Sequence, residues 1–188
     1  MSENINKQTL VALVENKPGV LNRVASLFRR RSYNVDSLTV GRTHKPHISR
    51  MTIVVDANRT DVRQIVANLY KLVNVIDVRF LSDQPHVSRD LALIKVRTDD
   101  SDSRNAVTTV CEQFPARIVD IGPEVAIIEI AAQEDVVEEM IAQLAPIGIM
   151  EMVRTGVVAM GRGTRIHDTQ YEPMRATSNN GAHGRYSV

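Results

Sequence analysis

The strongest constraint on this chain is a run of elements that occurs twice, about 82 residues apart, in the order strand, helix, strand, strand, helix, strand. In the first copy, residues 9–14 are almost continuously apolar and read as a buried central strand. Glu15, Asn16, Lys17, Pro18 and Gly19 then turn the chain into a helix with Val20, Val24, Leu27 and Phe28 on one stripe. Arg29, Arg30 and Arg31 stand at its end, where cations complement the helix dipole. Two strands follow, one alternating at Leu38 and Val40, the other at Met51, Ile53 and Val55, with a turn at His44, Lys45, Pro46 and His47. Thr60 is placed to cap a second helix with the stripe Val62, Ile65, Val66, Leu69 and Leu72. Ile76, Val78 and Phe80 share one face of the closing strand.

The second copy has a strand at 91–96, a helix marked by Val107, Val110, Cys111 and Phe114, and strands at 116–121 and 124–131. A helix with Val137, Met140, Ile141 and Leu144 and a strand near 149–160 complete it. The fold class is therefore α+β, two tandem ferredoxin-like βαββαβ units, each a four-stranded antiparallel sheet with both helices on one face. The expected division is a flexible N-terminus at 1–6, a first unit at 7–82, a linker at 83–88, a second unit at 89–160 and a flexible tail at 161–188. Such sheets leave one face without helices. Val11 and Leu13, interleaved with Leu10, Ala12 and Val14, make the central strand apolar on both sides. Pairing of sheets or edges between chains would cover that surface, so a homodimer or larger assembly is expected.

Composition narrows the function classes. With 43% hydrophobic and 24% charged residues in 188, the chain is globular, and no apolar run approaches the ~20 residues of a membrane span. The first ten residues, MSENINKQTL, have neither a basic lead nor an apolar signal core, which points to a cytoplasmic protein with no membrane partner. Cys111 is the single cysteine, so an internal disulfide and a multi-cysteine metal site are excluded. The net charge of +1 conceals a basic first unit, with 13 Lys and Arg against 5 Asp and Glu, and an acidic stretch over residues 83–160, with 6 against 14.

No constellation of catalytic or metal-binding residues emerges. Cys111 lies on an apolar helix stripe and reads as a core residue, and His44 and His47 sit on a hairpin turn with no third ligand nearby in sequence. Glu134, Asp135, Glu138 and Glu139 read as an acidic outer face well placed at a helix start. Nucleic acid is not expected as a partner. Aromatic residues make up 4% of the chain, and residues 49–55 of the candidate strand offer none for base stacking.

One segment invites a ligand. Residues 16–19 join a central strand to a helix start, where unpaired backbone N–H groups can receive a carboxylate. Gly19 permits close approach to the backbone, Pro18 suits helix entry, Asn16 offers an amide donor and a carbonyl acceptor, and Val20 and Leu21 supply an apolar wall. The same spacing also serves an ordinary capping turn.

Those residues carry a family resemblance. LVALVENKPGVLNRVASLFRRRSYNVDSLTVG resembles the start of an ACT domain, and more narrowly that of the small regulatory subunit of acetohydroxyacid (acetolactate) synthase. SRMTI, LYKLVNVIDV, SRDLALIKV and RTGVVAMGRG follow in the same order, so the resemblance covers residues 7–163. It implies a chain without an active site, and with no cofactor of its own. Thiamine diphosphate, Mg2+ and FAD are expected on a separate catalytic large subunit, which the small subunit activates and renders sensitive to valine or another branched-chain amino acid. The resemblance places the effector between two ACT domains, against Asn16, Lys17, Gly19, Val20 and Leu21 of one chain and Asn34 and Val35 of the other. Lys17 stands where relatives often carry Glu or Asp, and Val35-Asp36 replaces a commoner Ile-Glu pair. The alternative from another class is a stand-alone amino-acid-sensing ACT adaptor in signalling or transcription control, although no helix-turn-helix segment is visible.

Overall fold

The computed structural model describes residues 6–58 and 61–163. Residues 1–5, Thr60 and the segment after Gly163 lie outside them, and with them the expectations placed there. The first unit consists of β1 (Lys7–Glu15), α1 (Val20–Arg30), β2 (Val35–Arg42), β3 (Ile48–Asp56), α2 (Val62–Leu69) and β4 (Val75–Phe80). Then come β5 (His86–Arg97), α3 (Ser101–Gln113), β6 (Ala116–Ile121), β7 (Val125–Ala132), α4 (Glu134–Leu144), β8 (Ile149–Arg154) and β9 (Val158–Gly161).

Both sheets have the ferredoxin-like order. The first runs β2-β3-β1-β4 and the second β6-β7-β5-β8, with all neighbours antiparallel. Alternation explains the layering. Leu10, Ala12 and Val14 of β1, with Met51, Ile53 and Val55 of β3, meet Val20, Val24, Leu27 and Phe28 of α1 and Ile65 and Leu69 of α2 in one core. Ala92, Ile94 and Val96 of β5 and Ile128 and Ile130 of β7 meet Val107, Val137, Met140 and Leu144 in the other.

Helix starts follow local chemistry. Asp61, one residue beyond the expected Thr60, caps α2 by accepting from the backbone N–H of Arg63. Asp100 and Ser103 form a reciprocal capping box on α3. Glu134 and Asp135 occupy the first turn of α4.

Three expectations are corrected. Residues 86–88, assigned to the linker, are already strand. β5 is 12 residues long and continues unbroken from its pairing with β9 into the second sheet. The strand expected over 149–160 is two strands. The chain breaks at Gly156, which takes φ +78°, a left-handed conformation that favours glycine. Beyond it β9 pairs with the first residues of β5, with His86 opposite Gly161 and Arg89 opposite Val158. The outer face of the first sheet is consequently not bare. Val157 and Ala159 pack with Leu81 onto Val11 and Val54 in a third cluster.

Polar contacts fix this crossing. The Thr39 hydroxyl donates to the Thr155 carbonyl at 3.1 Å, the Val157 N–H donates to Ser37 Oγ at 3.1 Å, and Arg50 donates to the Ala159 carbonyl at 2.6 Å. Asp90, 1% exposed, sits where β8 leaves β5 and β9 approaches it; the Arg154 guanidinium clamps it, with Nε at 2.8 Å. Lys7 of β1 reaches both Asp36 at 3.0 Å and Glu134 of α4 at 2.8 Å. Part of the acidic face expected on α4 is therefore paired: Glu134 with the first unit, Glu138 with Arg154.

Candidate functional site

The loop at 16–19 is where β1, the β2–β3 turn and α1 converge. The Asn16 N–H donates to the His47 carbonyl at 2.7 Å, and its side-chain amide donates to the Pro46 carbonyl at 2.9 Å. The amide donor that seemed free in sequence is thus occupied in holding the loop against the neighbouring turn, and its Oδ1 remains as the acceptor.

Gly19 is the N-cap of α1 at φ +81°, no side chain caps that end, and the first turn contains no acidic residue. A Cβ built on Gly19 would meet nothing within 4 Å. The helix start therefore faces open space, with its first-turn N–H groups unclaimed by any side chain. Beside it Val20 is buried at 4% exposure, so it belongs to the core rather than to an open wall. Leu21, at 46%, is the apolar surface available to a visitor.

A polar relay that the sequence did not single out braces this loop. Lys17 pairs with Glu15 at 3.0 Å, Asn74 donates to the second oxygen of Glu15 at 2.5 Å, and Arg23 donates to the carbonyl oxygen of the Asn74 side chain at 2.6 Å. Asn74 is 9% exposed. Its partners lie 59 and 51 residues away in sequence, so no local pattern could have signalled it.

Asn34 and Val35 stand elsewhere. β2 runs parallel to β1, because each is antiparallel to β3, and Val35 lies level with Gln8 through their common partner Val55. The loop begins beyond Glu15, level with Ile48. Along the strand direction the two groups are roughly 25 Å apart. One chain cannot bring them together. A second copy whose β2 ran antiparallel along the open β2 edge would return its own Asn34 and Val35 to the level of the first copy's loop. On that edge Leu38 and Val40 are 37% and 42% exposed.

Cys111 is half-buried against the second core, and burial pushes its thiol above the usual value, away from the nucleophilic thiolate. Among the described residues no group of three or more His, Cys, Asp or Glu is placed to hold a metal ion, and no helix is long and apolar enough to cross a membrane.

Comparison with known proteins adds independent findings. A family model described as the small subunit of acetolactate synthase matches residues 89–163, and one described as an AHAS small subunit-like ACT domain matches residues 10–77. An acetolactate synthase small subunit of Aquifex aeolicus is 42% identical over 168 residues, which cover 89% of this chain and 88% of that protein. A putative acetolactate synthase small subunit of Mycobacterium tuberculosis is 45% identical over 84% of this chain and 93% of its own length. Among solved structures, the acetolactate synthase small subunit of Thermotoga maritima superposes with a TM-score of 0.77 at 39% identity, covering 85% of this chain and 99% of that one.

Proposed function

Since the chain belongs to the small-subunit family of acetolactate synthase, its first unit an ACT domain, we propose that it is the regulatory, non-catalytic subunit that activates the catalytic large subunit and confers feedback inhibition by valine or another branched-chain amino acid. The observation that carries the inhibitory half is the open, uncapped start of α1 at Gly19, set about a sheet's length from Asn34 and Val35.

An amino acid carries a carboxylate, an ammonium and a side chain, and each has a natural place here. The carboxylate meets the N–H groups of Gly19 and Leu21, where the helix dipole favours negative charge, while the N–H of Val20 is already given to the Lys17 carbonyl. Asn16 Oδ1 and Asn34 from a second copy address the ammonium. Leu21 and Val35 supply a small apolar contact that suits a branched side chain, while Lys17, paired to Glu15, borders the site. One effector bridging two chains contributes its contacts only in the docked arrangement. It shifts the assembly by its differential affinity for that arrangement, typically ~1–3 kcal/mol of coupling. Thiamine diphosphate, Mg2+ and FAD belong to the catalytic subunit.

The test is reconstitution. The isolated chain with pyruvate, thiamine diphosphate and magnesium should form no acetolactate. Adding it to the catalytic subunit should raise that subunit's rate and make the rate fall across a valine titration. Acetolactate formation by the small subunit alone, or a catalytic rate indifferent to its addition, would contradict the proposal.

A further inference from the structure

On the side of the first sheet away from its helices, the β5–β9 ribbon does not cover everything. Beside it lies a cavity of about 600 Å³ bounded by the sheet, the β2–β3 turn, the segment after β4 and the end of β9. Its floor includes Leu13, Ile48 and Leu81, with Met160 on the wall. Five cations line it: Arg42, Lys45, Arg50, Arg79 and Arg162. They arrive from four places in the chain, and among the described residues no Asp or Glu joins them in the lining.

Register explains the convergence at its centre. Arg50 of β3 lies opposite Leu13, and Arg79 of β4 lies opposite Val11, so both point outward on the two sides of β1. Burial, and then the repulsion of Arg79, push Arg50 below its usual value. Arg50 is held by a neutral carbonyl, that of Ala159. Asp77 takes the Nε of Arg79 at 3.2 Å, which leaves the terminal nitrogens of that guanidinium as forked donors. Arg50 and Arg79 are half-buried and repel each other, and Asp77 offsets only part of that charge, so an anion that joins them is favoured.

The charge also says what kind of anion. A zwitterionic amino acid has a net charge of zero, and this lining would leave its ammonium facing cations. Guanidinium forks match the oxygens of a phosphoryl group two at a time, and phosphoryl groups carry the most charge per volume. The apolar floor leaves room for an organic body. We propose that this cavity binds a compact polyanion of the phosphoryl class, such as an organic phosphate or diphosphate, at a site separate from the loop at Gly19.

Isothermal titration of the full-length chain with pyrophosphate at fixed ionic strength tests this. Saturable binding, one per chain, is expected; it should weaken at least tenfold in Arg79→Gln and in Arg42→Gln, remain unchanged in Arg30→Gln on the exposed end of α1, and fall as salt rises. Circular dichroism melting of each variant checks that the fold is retained, and Arg42, at the exposed end of β2, keeps the test available if Arg79→Gln does not fold. Citrate binding as tightly as pyrophosphate would overturn the phosphoryl assignment. Absent binding, or binding equally weakened by Arg30→Gln, would overturn the site. If wild type binds no pyrophosphate while Arg79→Gln loses association with the catalytic subunit, the surface docks a protein and the proposal fails. Valine inhibition of holoenzyme carrying Arg79→Gln should stay at the wild-type concentration. Its loss would overturn the separation of the two sites without touching the effector role of the loop.

Discussion

Gly19 and Gly156 both take a left-handed φ, and they are constrained in different ways. At Gly19 the single chain leaves space for a Cβ, so crowding by protein is not the constraint; the left-handed φ is, together with whatever ligand approaches. Gly19→Ala should therefore cost about 1 kcal/mol in urea unfolding from backbone strain. Gly19→Asp should go further and abolish valine inhibition while subunit association survives. A carboxylate at the helix start occupies the N–H groups meant for the effector and repels it; two unit charges ~5 Å apart at an effective dielectric near 20 interact by ~3 kcal/mol. A Gly19→Asp subunit still inhibited at the wild-type valine concentration would remove the loop from the effector site. At Gly156 both constraints apply: φ is +78° and a Cβ would lie 2.8 Å from Ser37 Oγ. Gly156→Ala should destabilise the chain by about 2 kcal/mol and loosen the crossing, which slower unfolding of wild type relative to the variant would register. The turn into α1 at Gly19 was legible in its motif, whereas the constraint on Gly156 was not, because its partner lies in β2, far away in sequence.

Among the elements, β5 departs most from expectation. Its alternation was readable from Leu91 onward, but its first residues look like a linker because Pro85 and polar neighbours precede them, and their partner strand is a distant segment. Asp90 in its middle has almost no solvent access and depends on Arg154. Arg154→Met should cost about 3–5 kcal/mol, since it strands a buried carboxylate, and Asp90→Asn combined with it should cost less than the single change. Equilibrium denaturation of the two variants provides the comparison. In α3, hydrogen bonds from Ser103 hold the Asp100 carboxyl below its usual value. A depressed carboxylate contributes stability above its unfolded pKa of 3.8 and loses it as pH falls through the lower folded value. Asp100→Asn should accordingly remove part of the stability lost on acidification below that pH, measured as the difference in melting temperature between wild type and variant.

At the scale of the molecule, repetition made both units legible and the interface between them illegible. Periodicity reports which face of an element is apolar but not what covers it, and the covering of Val11 and Val54 by Val157 and Ala159 joins residues more than a hundred positions apart. A chain cut after residue 82 should therefore be less stable than the first unit within the whole chain, by about 2 kcal/mol for each valine uncovered, and prone to associate through that face. Sedimentation and urea titration of the truncated and full chains would show it. For the full chain, the open β2 edge with Leu38 and Val40 predicts a dimer at micromolar concentration. A monomer there would leave the residues proposed to bind the effector, 16–19 and 34–35, without a common site.

The unbroken run of β5 also has a mechanical consequence. A flexible tether would let each unit turn on its own and dissipate any displacement imposed on one of them. A single extended strand, paired with β9 at its start and with β7 and β8 beyond, behaves instead as a shaft, about 40 Å long at the rise of a β-strand, and β9, Lys7–Glu134 and the Asp90–Arg154 clamp act as its bearings. Rotation of one ACT domain against another then swings the far end of the second unit through a larger arc than the loop itself moves. An amino acid bound as proposed would be felt at a distance by leverage, with no need for either core to repack.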